Sequence, residues 1–218
     1  MTAALRTVVL ISGGGSNLQA IIDTNHVQRR DASICAVVSS DPNAYGLTRA
    51  NQASIQTQVV DPRAYPTPHE FNLALERTLA QYDPELVVLA GFMRILTPSL
   101  VDRYLGRLLN IHPSLLPAFP GLNTHRRVLE STCDTHGASV HFVTAELDAG
   151  PVILQANVPV KRNDTPETLA ARVLVEEHRI YPQVVSWFAA GRLAMRDGMA
   201  TLDGELINDP LGLSVYEH

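Results

Sequence analysis

Asn110 and His112 stand two apart in the run "LLNIHPSLLP", whose other members are Leu, Ile, Ser and Pro. In a strand, residues two apart share a face, so an amide and an imidazole point the same way out of an apolar wall. Such a pair is either a hydrogen-bonded core couple or a reaction centre where two donors meet one developing negative charge. Pro113 ends the strand behind them. A lone carboxylate in a Gly-flanked loop, Asp148 in "TAELDAGPVI", reads as solvated. Beside His112 it has a purpose: an ionised Asp orients an imidazole and favours its protonated form, so the pair can hand a proton to a poor leaving group.

The second candidate is "ISGGGSNLQAII", three glycines and a Ser-Asn pair between an apolar strand and a helix. Glycines let the backbone close on a ligand, and the amides of Gly15, Ser16 and Asn17 open a helix whose positive end suits a phosphate. A plain strand-to-helix turn would use the same residues. The dinucleotide fingerprint GxGxxG and the lysine of a P-loop are both missing, which weakens NAD and ATP readings. Among the other polar residues, His125, His136 and His141 fit no common metal-ligand spacing and read as surface or packed histidines, so no metal is expected. Ser114 lacks the GxSxG context of a hydrolase nucleophile. Glu176 and Glu177 lie in a helical pattern, where a solvated face is the default.

Positioning these groups falls to alternating elements. "RTVVLIS", "SICAVVSS", "IQTQVV" and "PELVVLAGF" read as strands, several nearly continuous in Val, Leu and Ile; "SNLQAIIDT", "GLTRANQAS" and "HEFNLALERTLAQY" read as helices between them. The fold class is α/β, a doubly wound, Rossmann-like, mostly parallel sheet. After "LLNIH" the pattern changes. "GASVHFV" and "PVILQANVPV", joined by "TAELDAG", make the C-terminal half mixed. "TPSLVDRY" has Thr97 as N-cap and Pro98 at the first helical position. A long helix opens at Asp164 or Thr165 with Pro166 behind, closes at Gly191, and should kink or split at Pro182. Two Asp-Gly pairs in the tail imply a small meander. One domain over 1–218 is expected, in two halves of about 1–105 and 106–218.

Composition narrows the class. Of the 218 residues 45% are apolar, enough for a substantial core, while a net charge of -5 speaks against coating nucleic acid or an anionic membrane. Two cysteines without CxxC spacing suggest neither a disulfide framework nor a zinc site, which fits a reducing cytoplasm. No run approaches the roughly 20 apolar residues of a membrane span.

Together "GGGSN", "VVLAGFMRIL", "LLNIHPSLLPAFPGL" and "SVHFVTAELDAGPVILQ" resemble the glycinamide ribonucleotide formyltransferase family of purine biosynthesis over nearly the whole chain. The resemblance implies the formyltransferase fold and transfer of a formyl group from the co-substrate 10-formyltetrahydrofolate to the amine of 5-phosphoribosylglycinamide. No covalent enzyme intermediate is implied. Asn110 and His112 would meet the oxyanion, His112 would donate the proton, and Asp148 would support it. Gly15, Ser16 and Asn17 would hold the ribonucleotide phosphate and Glu177 the ribose or glycinamide. Met93, Arg94, Ile95 and Leu96 would line the folate pocket, with Asn110 at its reacting end. One departure concerns a folate-binding arginine: the family commonly carries it where this chain has Pro68, and Arg63 is the candidate replacement. A formyltetrahydrofolate hydrolase would carry an extra N-terminal domain and a tRNA formyltransferase an extra C-terminal barrel, and neither is expected here. A non-catalytic folate or nucleotide binder on the same fold is the rival from another class. The reading admits a homodimer.

Overall fold

Strand β1 (Leu5–Ile11) is enclosed from Thr7 onward and β4 (Leu86–Leu89) along its whole length. Continuous apolar runs of this kind need cover on both faces of a sheet, as parallel strands with crossover helices provide. The computed structural model describes residues 4–28 and 32–213. It comprises two compact units, residues 1–109 and 110–218.

In the first unit β1 is followed by α1 (Ser16–Gln28), β2 (Ala32–Ser39), α2 (Tyr45–Gln52), β3 (Gln56–Val59), a 3-10 turn at Pro62–Ala64, α3 (Pro68–Tyr82), β4 and α4 (Pro98–Arg103). Its strands are parallel, in the order β4-β1-β2-β3. The chain therefore steps outward from β1 to β3 and returns through α3 to the other side of β1. That reversal opens a crevice at the carboxyl ends of β1 and β4, the place where open α/β sheets bind ligands. Local chemistry sets the return: Thr67 caps α3, its hydroxyl accepting from the Glu70 amide while Glu70 accepts from the Thr67 amide, and Pro68 takes the first turn.

The second unit opens in β5 (Leu108–His112) and continues with α5 (Thr124–Leu129), β6 (Thr135–Phe142), β7 (Val152–Pro159) and α6 (Pro166–Ala189). It ends with β8 (Leu193–Arg196), β9 (Met199–Leu202), β10 (Glu205–Leu206) and β11 (Leu211–Leu213). The strand order is β5-β6-β7-β11, with β6 and β7 antiparallel and β7 and β11 parallel, so this half is mixed, as its patterning implied. The meander is present as β8-β9-β10, its Asp197-Gly198 and Asp203-Gly204 turns all at positive φ. The short α5 and β11 carry too little periodicity to be anticipated.

Helix α6 packs on β6 and β7. Thr165 is its N-cap, in a reciprocal box with Thr168, and Asp164 instead receives Arg172. Pro182 corrects the expectation of a split: the helix runs unbroken through it. Ile180, Tyr181, Val184 and Val185 around it are all buried, and that burial outweighs the one backbone hydrogen bond a proline removes. None of the described helices is long and apolar enough to cross a membrane.

Candidate active site

Leu108, Leu109 and Ile111 anchor β5 in the core, and the alternation leaves Asn110 and His112 on the same face. Asn110 Nδ2 lies 3.1 Å from His141 Nε2 on β6. The other ring nitrogen of His141 donates to the Phe142 carbonyl at 2.8 Å, so Nε2 is left as the acceptor and the Asn110 amide is the donor. A charged His141 would set donor against donor. Burial pushes its pKa down, which preserves the neutral ring. The β6–β7 register shifts between Val140 and His141, and such a bulge re-aims the side chains beside it.

His112, only 5% exposed, donates from Nε2 to the Phe119 carbonyl at 3.0 Å. Its Nδ1 faces Asp148 Oδ2 at 3.4 Å. Both neighbours are acceptors, so a doubly protonated ring matches both, and the looser contact, at Nδ1, is the one from which a proton can be passed. Asp148 is not the solvated loop residue its isolation suggested. Its Oδ2 accepts the Gly121 amide at 2.8 Å, and Oδ1 stands 3.8 Å from His141 Nε2. The loop bearing it closes tightly on β6, where a Cβ at Gly150 would collide with the Phe142 carbonyl. Asp148 itself takes φ 52, a left-handed conformation that Asp tolerates better than most residues.

His125 and His136, read from sequence as surface or packed histidines, form a second couple, Nδ1 to Nε2 at 3.1 Å. The His136 ring sits edge-on to Phe119, and burial lowers its pKa to about 4. His141 is the neighbour of Asn110, which sequence reasoning read as a surface or packed histidine; its sequence signal is that it shares one face of β6 with Ser139 in a strand that is buried apart from Thr135.

In the first unit the turn after β1 is fastened to its surroundings. The Ser12 amide donates to the Gly91 carbonyl at 3.1 Å, and the Met93 amide donates to Ser12 Oγ at 2.8 Å. The loops after β1 and β4 are thereby joined at the switch point. Gly15 has φ +69, and a Cβ there would lie 2.6 Å from Gly46 Cα, so only glycine fits. Arg49 on α2 holds the loop from outside, Nε donating to the Gly14 carbonyl at 2.9 Å. Asn17 is buried at the start of α1.

Met93, Arg94 and Ile95 line a pocket of about 420 Å³ with Tyr65, Phe71 and Pro68. The apolar walls and single guanidinium suit an aromatic acid. Leu96, next in the run, is buried and does not line this pocket. Arg63 is exposed and paired with Asp61, its Nε 2.9 and 3.0 Å from the two carboxylate oxygens, and it does not line this pocket. Glu176 and Glu177 are both buried on α6, against the solvated face expected, and Glu176 is paired with Arg179 at 2.9 Å.

An open α/β sheet bearing an amide donor and a histidine–carboxylate couple suits a group-transfer enzyme, and comparison places it: the chain belongs to the formyl transferase family, whose model matches residues 5–185. It is 53% identical over 213 residues to the phosphoribosylglycinamide formyltransferase of Escherichia coli (98% of this chain, all of that one) and 45% identical over 202 residues to that of Haemophilus influenzae (93% and 95%). The solved phosphoribosylglycinamide formyltransferase of Coxiella burnetii superimposes with a TM-score of 0.89 at 49% identity, over 96% of this chain and 99% of that one.

Proposed function

We propose that the chain transfers the formyl group of 10-formyltetrahydrofolate to the amine of 5-phosphoribosylglycinamide, giving formylglycinamide ribonucleotide and tetrahydrofolate in purine biosynthesis. The observation that carries the chemistry is the cluster of Asn110, His112 and Asp148, with Asn110 aligned by His141. It offers Asn110 Nδ2 and the His112 ring as fixed donors and lacks an activated nucleophile, which suits direct attack by an amine. As the amine bonds to the formyl carbon, the carbonyl oxygen gains charge and meets Asn110 Nδ2 and His112. The attacking nitrogen releases a proton to water. His112 gives its Nδ1 proton to the departing N10 nitrogen, the C–N10 bond breaks, and Asp148 steadies the imidazolium until that moment.

Gly15, Ser16 and Asn17 take the phosphate, and Glu177 takes the ribose or glycinamide. Met93, Arg94 and Ile95 take the folate, the guanidinium of Arg94 meeting its acidic end, with Leu96 as packing behind them. The partners are these two small molecules. A cytoplasmic location agrees with the free thiols of Cys35 and Cys133.

The test follows the absorbance of 10-formyltetrahydrofolate with and without ribonucleotide. Loss only when the ribonucleotide is present supports transfer. Equal loss without it would make the chain a hydrolase, and no loss in either case a binder.

A further inference from the structure

Phe119 supplies the carbonyl that receives His112 Nε2, yet its φ of 54 is one that an L residue with a bulky side chain rarely adopts. Something must hold it there. Ser114, completely buried, directs its hydroxyl at the Ala118 carbonyl at 2.6 Å and lies 3.2 Å from the Phe119 carbonyl. The same oxygen of Phe119 is thus shared between Ser114 Oγ and the His112 ring. Upstream, the segment is fixed separately: Ser139 Oγ donates to the Ser114 carbonyl at 2.6 Å and accepts the Leu116 amide at 3.0 Å. Gln155 closes that network on Ser139 and on the Leu116 carbonyl, both at 2.8 Å.

We propose that Ser114 is a positioning residue for formyl transfer, which aims the Phe119 carbonyl at His112 Nε2 and so fixes which ring nitrogen remains to face Asp148 and the substrate. The inference rests on the reading of His112 as the proton donor. A serine two residues after a catalytic histidine thereby has work unrelated to nucleophilic attack. Without its hydroxyl the Ala118 and Phe119 carbonyls lose the donor they share, φ at Phe119 relaxes, and the ring is free to turn. Ser139 reaches the beginning of this segment and not its end, so the two serines separate a general loss of loop order from a specific loss of ring orientation.

The experiment compares Ser114→Ala, Ser114→Cys and Ser139→Ala by steady-state kinetics, thermal melting and the ¹⁵N shifts of His112. Ser114→Ala should lose roughly tenfold in kcat with both KM values within about twofold, since a small misplacement of a reacting group acts on turnover. The His112 Nε2 resonance should leave its hydrogen-bonded position. Ser114→Cys, a weak donor of similar size, should fall between. Ser139→Ala should melt earlier but keep the His112 shifts and kcat. Wild-type kcat or an unmoved His112 resonance in Ser114→Ala would overturn the proposal, as would an equal disturbance in Ser139→Ala. If Ser114→Ala does not fold, Ser114→Cys decides by the same two readouts. His112→Asn, assayed alongside, keeps the underlying reading separate: full turnover there would remove His112 from the chemistry, whereas an inactive His112→Asn with a silent Ser114 variant overturns only the role of Ser114.

Discussion

Acid should loosen the protein well before its carboxylates titrate, and His136 is the main reason. Its ring is 1% exposed, with His125 on one nitrogen and Phe119 at its edge, and burial holds its pKa at about 4 against an ordinary 6.5. A histidine with a pKa lowered by folding takes up its proton more readily in the unfolded chain. Stability is therefore full above the unfolded value, falls as pH drops through it, and stops falling below the folded value. Integrating between about pH 7 and about pH 5 gives a loss on the order of 2 kcal/mol from this residue alone. His125 and His141, lowered by burial too, act in the same direction. Asp61, Asp164 and Asp203 have their pKa values lowered by hydrogen bonds from arginines, so their stabilisation is lost only at more acidic pH, leaving this window to the histidines. The assay is urea unfolding followed by the single tryptophan, Trp187, at both pH values in wild type and His136→Gln. The variant should be less stable at neutral pH but lose about 2 kcal/mol less on acidification. The same acid loss in both proteins would refute the assignment.

Asp148→Asn should stay folded and bind both substrates yet lose about 100 to 10,000-fold in turnover, measured by single-turnover formyl transfer. Asn110→Ala should cost about 100-fold in kcat as a missing oxyanion donor, and a folded variant with near-normal activity would return Asn110 to a structural role. Gly15→Val forces a side chain against Gly46 at positive φ, so the KM for ribonucleotide should rise far more than that for folate in steady-state assays. Arg94→Ala should raise the folate KM while Arg63→Ala, whose guanidinium Asp61 already holds, should leave it near wild type.

Much of this site is local and therefore legible in one dimension. Alternation in "LLNIH" determined that Asn110 and His112 share a face, because a strand has a period of two whatever surrounds it. The glycines of "GGGSN" announced a tight turn onto a helix start, and the Val-rich runs announced parallel strands buried on both faces. Tertiary structure decided what those side chains meet. The acceptor for His112 is a backbone carbonyl at Phe119, the donor to Asp148 is the Gly121 amide, and neither carries a residue-type signature. His141 meets Asn110 because β6 lies beside β5, which sets its Nε2 3.1 Å from the Asn110 amide. Arg63 pairs with Asp61 two residues away, a local contact between oppositely charged neighbours. Residue type and spacing dictate which hydrogen bonds a group is able to make; which of them form depends on distance and orientation between segments far apart in the chain, and those exist only once the sheet has set its register.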